Sequence, residues 1–233
     1  MDAGKKYTKR KAFKTPECVI AGIDERFGAL MVNINKYDFS FTTMSLGVNE
    51  MIQVAEAVRN GEPMNPVCIG SGNSKTGKKK LSEIQKRIKK LTSKQLNLLI
   101  GGDLITQRQI AFLSICKTHL FIRDFTVEIL REKLLIYDYQ ITKGDYIGFF
   151  RRKAEVYPEM DNLTELTRDK IRQVTFKILE QAGIIDHVKT KVIQPQLLQS
   201  QVIDTIVDED QEWLKVFLMS DIDIENQTKK CKI

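Results

Sequence analysis

The chain has 233 residues, 42% hydrophobic and 29% charged, which is enough apolar material to bury a core as one domain or two small ones. No apolar run approaches the ~20 residues needed to span a bilayer, and the basic N-terminus lacks a following apolar stretch, so neither a membrane-spanning segment nor a secretory route is expected and the location is read as cytoplasmic. The formal net charge of +7 is concentrated: residues 1–14 carry net +5 and residues 75–94 net +8, so the remainder sums to −6.

Localised positive potential steers polyanions, which ranks nucleic acid first among partners, an anionic membrane surface second and an acidic protein third. Cys18, Cys68, Cys116 and Cys231 form no close pair, which argues against a disulfide framework and against the C-x-x-C half of a zinc site. Cys116 and His119 are spaced to share a helix turn, but two ligands do not make a site. No metal or other cofactor is expected.

In chain order, residues 1–14 are polar and basic, with Lys5, Lys6, Lys9, Arg10, Lys11 and Lys14. Residues 15–35 read as a helix followed by a strand. Residues 45–60 read as a helix through Leu46, Val48, Met51, Ile52, Ala55 and Val58, stopped by Asn60-Gly61. Pro63 and Pro66 bracket a connector, and Gly70, Gly72 and Gly77 mark a flexible loop.

The basic helix follows. Leu81, Ile84, Ile88 and Leu91 recur at helical spacing within a run holding nine Lys and Arg and one acid, Glu83. One apolar face packs while the rest presents charge, the pattern of a helix that meets a phosphate backbone; a plain solvated helix is the alternative. Thr92 with Gln95 opens a short helix ending at Gly101-Gly102, and Thr106 with Gln109 suggests a second capping box.

A helical hairpin runs through 110–117 and 120–137, the latter apolar on several sides as a core helix is. Thr142 caps a helix with Tyr146, Ile147, Phe149 and Phe150, then Arg151, Arg152 and Lys153. Thr167 caps an amphipathic helix whose stripe is Ile171, Val174, Ile178, Leu179 and Ala182, stopped by Gly183. Residues 188–193 alternate as a short strand would, a last helix spans 199–206, and the end is acidic and then polar. The fold class is all-α: a helical bundle with helix-turn-helix or winged-helix-like elements and room for a small β-hairpin.

The stretch from Gly72 to Lys79 imitates a phosphate-binding P-loop, G-x-x-x-x-G-K. The following Ser or Thr that would bind magnesium is replaced by Lys79, so a glycine-rich hinge is the preferred reading. With two histidines and no local nucleophile–base pattern, the chain is read as a binding protein and not an enzyme. The candidate nucleic-acid contacts are Lys78, Lys79, Lys80, Gln85, Lys86, Arg87, Lys89 and Lys90, with a second group of Arg168, Arg172, Gln173 and Lys177. Lysine supplies point charge with little base discrimination, which leaves Gln85 and Arg87 as candidates for base edges.

The order of segments, above all ITQRQIAFLSICKTHLFIRDFTVEILREKL (105–134), ITKGDYIGFFRRKA (141–154), LTRDKIRQVTFKILEQAGII (166–185) and VIQPQL (192–197), resembles the BrxA family of bacteriophage-exclusion (BREX) defence systems. The resemblance covers roughly 39–207. It implies an all-helical protein that binds double-stranded DNA beside a methyltransferase, an ATPase and a phosphatase-like protein. The expected organisation is a basic extension (1–38), an N-terminal helical module (39–102), a C-terminal helical module (103–207) and an acidic and polar end (208–233). The other readings are a scaffold for acidic partner surfaces and an RNA-binding protein.

Overall fold

The computed structural model describes residues 36–230. The basic tail, the helix and strand expected over 15–35, Cys18 and Cys231 lie outside the described residues. The described residues form eleven α-helices joined by short 3-10 turns. They contain no strand, only two isolated antiparallel bridges, Gln140 to Val192 and Ile185 to Ile193. The all-α expectation holds. The strand expected over 188–193 does not form: the chain turns through 188–190, and Lys191 takes a left-handed φ of 56°.

Helix α1 (Val48–Asn60) ends on Gly61 at φ 71°, whose N–H donates to the Ala57 and Val58 carbonyls, the glycine stop that Asn60-Gly61 announced. Helix α2 (Pro66–Ile69) is a single turn started by Pro66 and capped by the Asn65 side chain. Helix α3 (Ser74–Ile88) is the basic helix, and α4 (Ser93–Gly101) carries the expected Thr92–Gln95 capping box. Helix α5 (Leu104–Thr118) follows. Helix α6 (Leu120–Phe125) continues through a π turn (Thr126–Arg131) into α7 (Glu132–Leu135). Helices α8 (Lys143–Val156), α9 (Glu165–Ala182), α10 (Ser200–Val207) and α11 (Asp221–Lys230) complete the order.

Two caps differ from expectation for one reason. The residue that caps α5 is Asp103, which accepts from the Thr106 N–H at 2.8 Å, and the residue that caps α9 is Thr164, which accepts from the Thr167 N–H at 3.2 Å. An N-cap oxygen accepts from the N–H three positions on. Thr106 and Thr167 occupy those donor positions, so each helix starts one step of the motif earlier.

A single apolar cluster runs from Tyr37 to Ile224. Phe121 lies among rings, edge-on to Phe149 at 5.3 Å and to Phe39 at 5.4 Å, a geometry that suits the ring quadrupoles. Residues beyond 207 join the cluster: the 3-10 turn Gln211–Phe217 buries Leu214, Val216 and Phe217, and α11 buries Ile224. The acids at the start of this stretch pair with cations, Asp208 meeting the exposed Lys94 at 2.6 Å and Glu209 meeting the buried Lys117.

The segment at 37–46 ties the molecule together. The Tyr37 hydroxyl donates to Asp124 at 2.7 Å while its ring stacks on Tyr157 at 4.0 Å. The Leu46 N–H donates to Gln181 of α9 at 2.9 Å. The same segment supplies the carbonyls that hold α3.

Candidate nucleic-acid interface

Helix α3 starts where Asn73 accepts from the Thr76 N–H at 2.9 Å. Its packed side is formed by Gly77, Ile84 and Ile88. Gly77 is there because nothing larger fits: an added Cβ would stand 1.8 Å from the Pro66 carbonyl oxygen, and one at Gly70 would stand 2.6 Å from the Gly77 nitrogen. The glycines expected to make a hinge instead let α2 and α3 cross in direct backbone contact. The P-loop resemblance fails for the same reason. Residues 74–80 are already helical and Gly77 faces protein, so the segment does not wrap a phosphate.

The outward face carries Lys75, Lys78 and Lys79 at i, i+3, i+4 spacing, all exposed, with Lys80 half-buried beside them. Lys89 and Lys90 extend the charge past the helix end. None of these six lysines has an acidic partner among the described residues. Over fifteen residues the helix is about 22 Å long at ~1.5 Å per residue. Lys86 is exposed but held, its Nζ 3.0 Å from Asp38 Oδ2 and 3.2 Å from Ser40 Oγ. Gln85 is exposed.

Arg87 corrects the expectation. Its side chain is 0% exposed, so it reaches neither a phosphate nor a base. The guanidinium donates to Glu83 at 2.8 Å and to the carbonyls of Ser45 at 2.8 Å, Leu46 at 3.2 Å and Met44 at 3.3 Å. The same Glu83 oxygen, Oε1, meets His119 Nε2 at 2.5 Å, the other accepts from Ser40 Oγ at 2.8 Å, and His119 Nδ1 lies 3.1 Å from the Asp38 carbonyl. Burial alone would raise the Glu83 carboxyl, but the His119 hydrogen bond and the Arg87 charge outweigh it and hold the group down at about 2. Burial lowers Arg87, and Glu83 opposes that loss.

This network also disposes of the Cys116–His119 metal idea. The His119 ring is committed to Glu83 and Asp38, and burial pushes the Cys116 thiol up, away from the thiolate a metal needs. No group of three metal-ligating side chains occurs among the described residues.

The second group splits. Arg168 donates to the Asp161 carbonyl at 3.2 Å and lies 5.7 Å over the Phe150 ring, apart from the others. Arg172, Gln173 and Lys177 line a cavity of about 750 Å³ bounded by residues 42–45, the start of α8, α9 and the turn at 188–191. Arg172 pairs with Asp169 at 2.9 Å, and Lys177 pairs with Glu180. Three lysines that sequence reasoning did not single out, Lys143, Lys170 and Lys191, line the same cavity. They come from separate elements, so no sequence spacing links them. Lys75 was legible from its spacing to Lys78 and Lys79.

A bundle of helices that buries one face of a lysine-rich helix and leaves the lysines of the other face unpaired among the described residues defines a helical protein with a cationic outer surface. A family model for BrxA matches residues 35–210, and the chain belongs to the BrxA family. It is 27% identical over 136 residues to a "BREX protein BrxA" of Bacillus cereus (strain H3081.97), covering 58% of this chain and 68% of that protein. In fold it is similar to an uncharacterized protein from Magnetospirillum magneticum, with a TM-score of 0.69 and 15% identity over 79% of this chain and 98% of that one. No helix among the described residues is long and apolar enough to cross a membrane.

Proposed function

We propose that this protein is a double-stranded DNA-binding component of a BREX phage-defence system and that it meets the duplex through the outward face of α3. The observation that carries the reading is the row of lysines at 75, 78, 79, 80, 89 and 90, unpaired among the described residues on a helix fixed from beneath. A helix of this width fits the major groove, and lysine contacts to phosphate position a protein without specifying sequence. Gln85 is the remaining candidate for a base edge. Arg172, Gln173 and Lys177 are left out of this interface because they line a recess. Partners within the system are its other proteins, among them the methyltransferase, ATPase and phosphatase-like components.

The test is a fluorescence-anisotropy titration of duplex DNA at several salt concentrations, comparing wild type with Lys78→Gln, Lys79→Gln, Lys89→Gln and Lys90→Gln combined. Each phosphate contact contributes about −0.9 to the slope of log K against log salt, so losing four makes the slope shallower by about 3.6 units. An unchanged slope and affinity would remove α3 from the interface. Tighter binding to duplex RNA would turn the reading to RNA.

A further inference from the structure

The 750 Å³ cavity between α8 and α9 has a composition that the DNA reading does not use. Five of its lining side chains are cationic and none is acidic: Lys143, Lys170, Arg172, Lys177 and Lys191. Two are partly neutralised by their own helix, Arg172 by Asp169 and Lys177 by Glu180. Lys143, Lys170 and Lys191 have no acidic partner among the described residues. Like charges gathered round a recess repel one another, and an anion placed among them relieves that repulsion. The first turn of α8 opens on the same recess through Thr142 and Lys143, with the Thr142 and Asp145 N–H groups already satisfied by the capping box.

A second observation points the same way. Tyr146 lines the cavity and is only 5% exposed, yet its hydroxyl is buried with no hydrogen-bond partner. A buried hydroxyl without a partner is costly, and a ligand oxygen would satisfy it. The remaining wall is apolar, with Met44, Val174 and Phe176. The volume falls in the range of roughly 300–1,000 Å³ typical of small-molecule sites. A ligand that matches both halves carries phosphate at one end and a flat, largely apolar group at the other.

We propose that this cavity binds a small phosphorylated ligand of the nucleoside phosphate class, its phosphates on Lys143, Lys170 and Lys191 and one oxygen on the Tyr146 hydroxyl. The site is separate from the DNA-facing surface of α3 and stands or falls without it. The occupant is bound, not turned over.

The experiment is isothermal titration calorimetry of the full chain with ADP, ATP, adenosine and inorganic phosphate. ADP or ATP is expected to saturate at one equivalent, more tightly than either adenosine or phosphate alone. Lys143→Gln combined with Lys170→Gln changes only exposed side chains and is expected to weaken ADP at least tenfold. Tyr146→Phe removes one hydroxyl that has no protein partner, so the fold should be unaffected while ADP affinity falls about 3- to 10-fold, the worth of one hydrogen bond. Duplex affinity should be the same in Tyr146→Phe and wild type. The proposal is overturned if neither nucleotide binds wild type, if phosphate alone binds as well as ADP, or if Tyr146→Phe binds ADP like wild type. It is also overturned if duplex DNA displaces ADP and Tyr146→Phe weakens duplex binding equally, which would make the recess a duplex contact.

Discussion

Arg87 lies within the most basic stretch of the chain but serves the fold, and Arg87→Met separates the two roles. Methionine fills much of the same volume without the charge. The substitution removes the 2.8 Å bond to Glu83 and the donors to the Met44, Ser45 and Leu46 carbonyls. It leaves Glu83 buried at 2% exposure with His119 and Ser40 as its remaining partners. Breaking a buried ion pair by deleting one member costs about 3–5 kcal/mol, because the other charge stays desolvated. For a chain of this size each kcal/mol moves the melting temperature by about 2–4 °C, so Tm should fall by about 6–20 °C. Thermal denaturation followed by circular dichroism reads the fall. Duplex affinity, measured at a temperature where the variant is still folded, should match wild type within twofold. A variant that keeps its Tm and loses DNA affinity would refute the reasoning and return Arg87 to the interface.

Gly77→Ala should lower Tm by several degrees, since overpacking costs about 1–3 kcal/mol and the added methyl meets the Pro66 backbone. Gly101→Ala has open space around it and serves as the control, with Tm unchanged or raised. Glu83 is held below its unfolded value of 4.5, at about 2, so its contribution to stability is complete above pH 4.5 and is lost as pH falls through 2. Urea denaturation from pH 5 to pH 2.5 should therefore show a steeper loss of stability in wild type than in Glu83→Gln. Equal slopes would show that the carboxylate is not held by the network.

Helix ends were readable where one residue does the work. Gly61 and Gly183 stop α1 and α9 in left-handed geometry, and Thr92–Gln95 and Thr142 cap the helices assigned to them. The starts of α5 and α9 were displaced because Thr106 and Thr167 look like caps while the true caps, Asp103 and Thr164, stand three positions earlier. The cationic character of α3 was visible from periodicity. The burial of Arg87 was not: Glu83, the one acid of the stretch, stands four residues before it, but the carbonyl acceptors at 44–46 that complete its site lie some forty residues away. Gly70 and Gly77 advertise backbone freedom in any sequence, and only the packed structure shows that here they permit contact. The lysine-lined recess was illegible because α8, α9 and the turn at 188–191 each contribute one unpaired cation.

The way α3 is fastened has an evolutionary consequence. Its position depends on Gly77, Glu83, Ile84, Arg87 and Ile88, all beneath the helix, while Lys75, Lys78, Lys79, Ser82 and Gln85 above it touch little else. Substitutions at such exposed positions typically change stability by no more than about 0.5 kcal/mol. The outward residues can therefore drift, or be selected for a new target, without a compensating change in the scaffold. Under the proposed DNA-facing role of α3, divergence of ligand preference among relatives should accumulate on that one stripe of side chains, and the foundation below it should tolerate almost none.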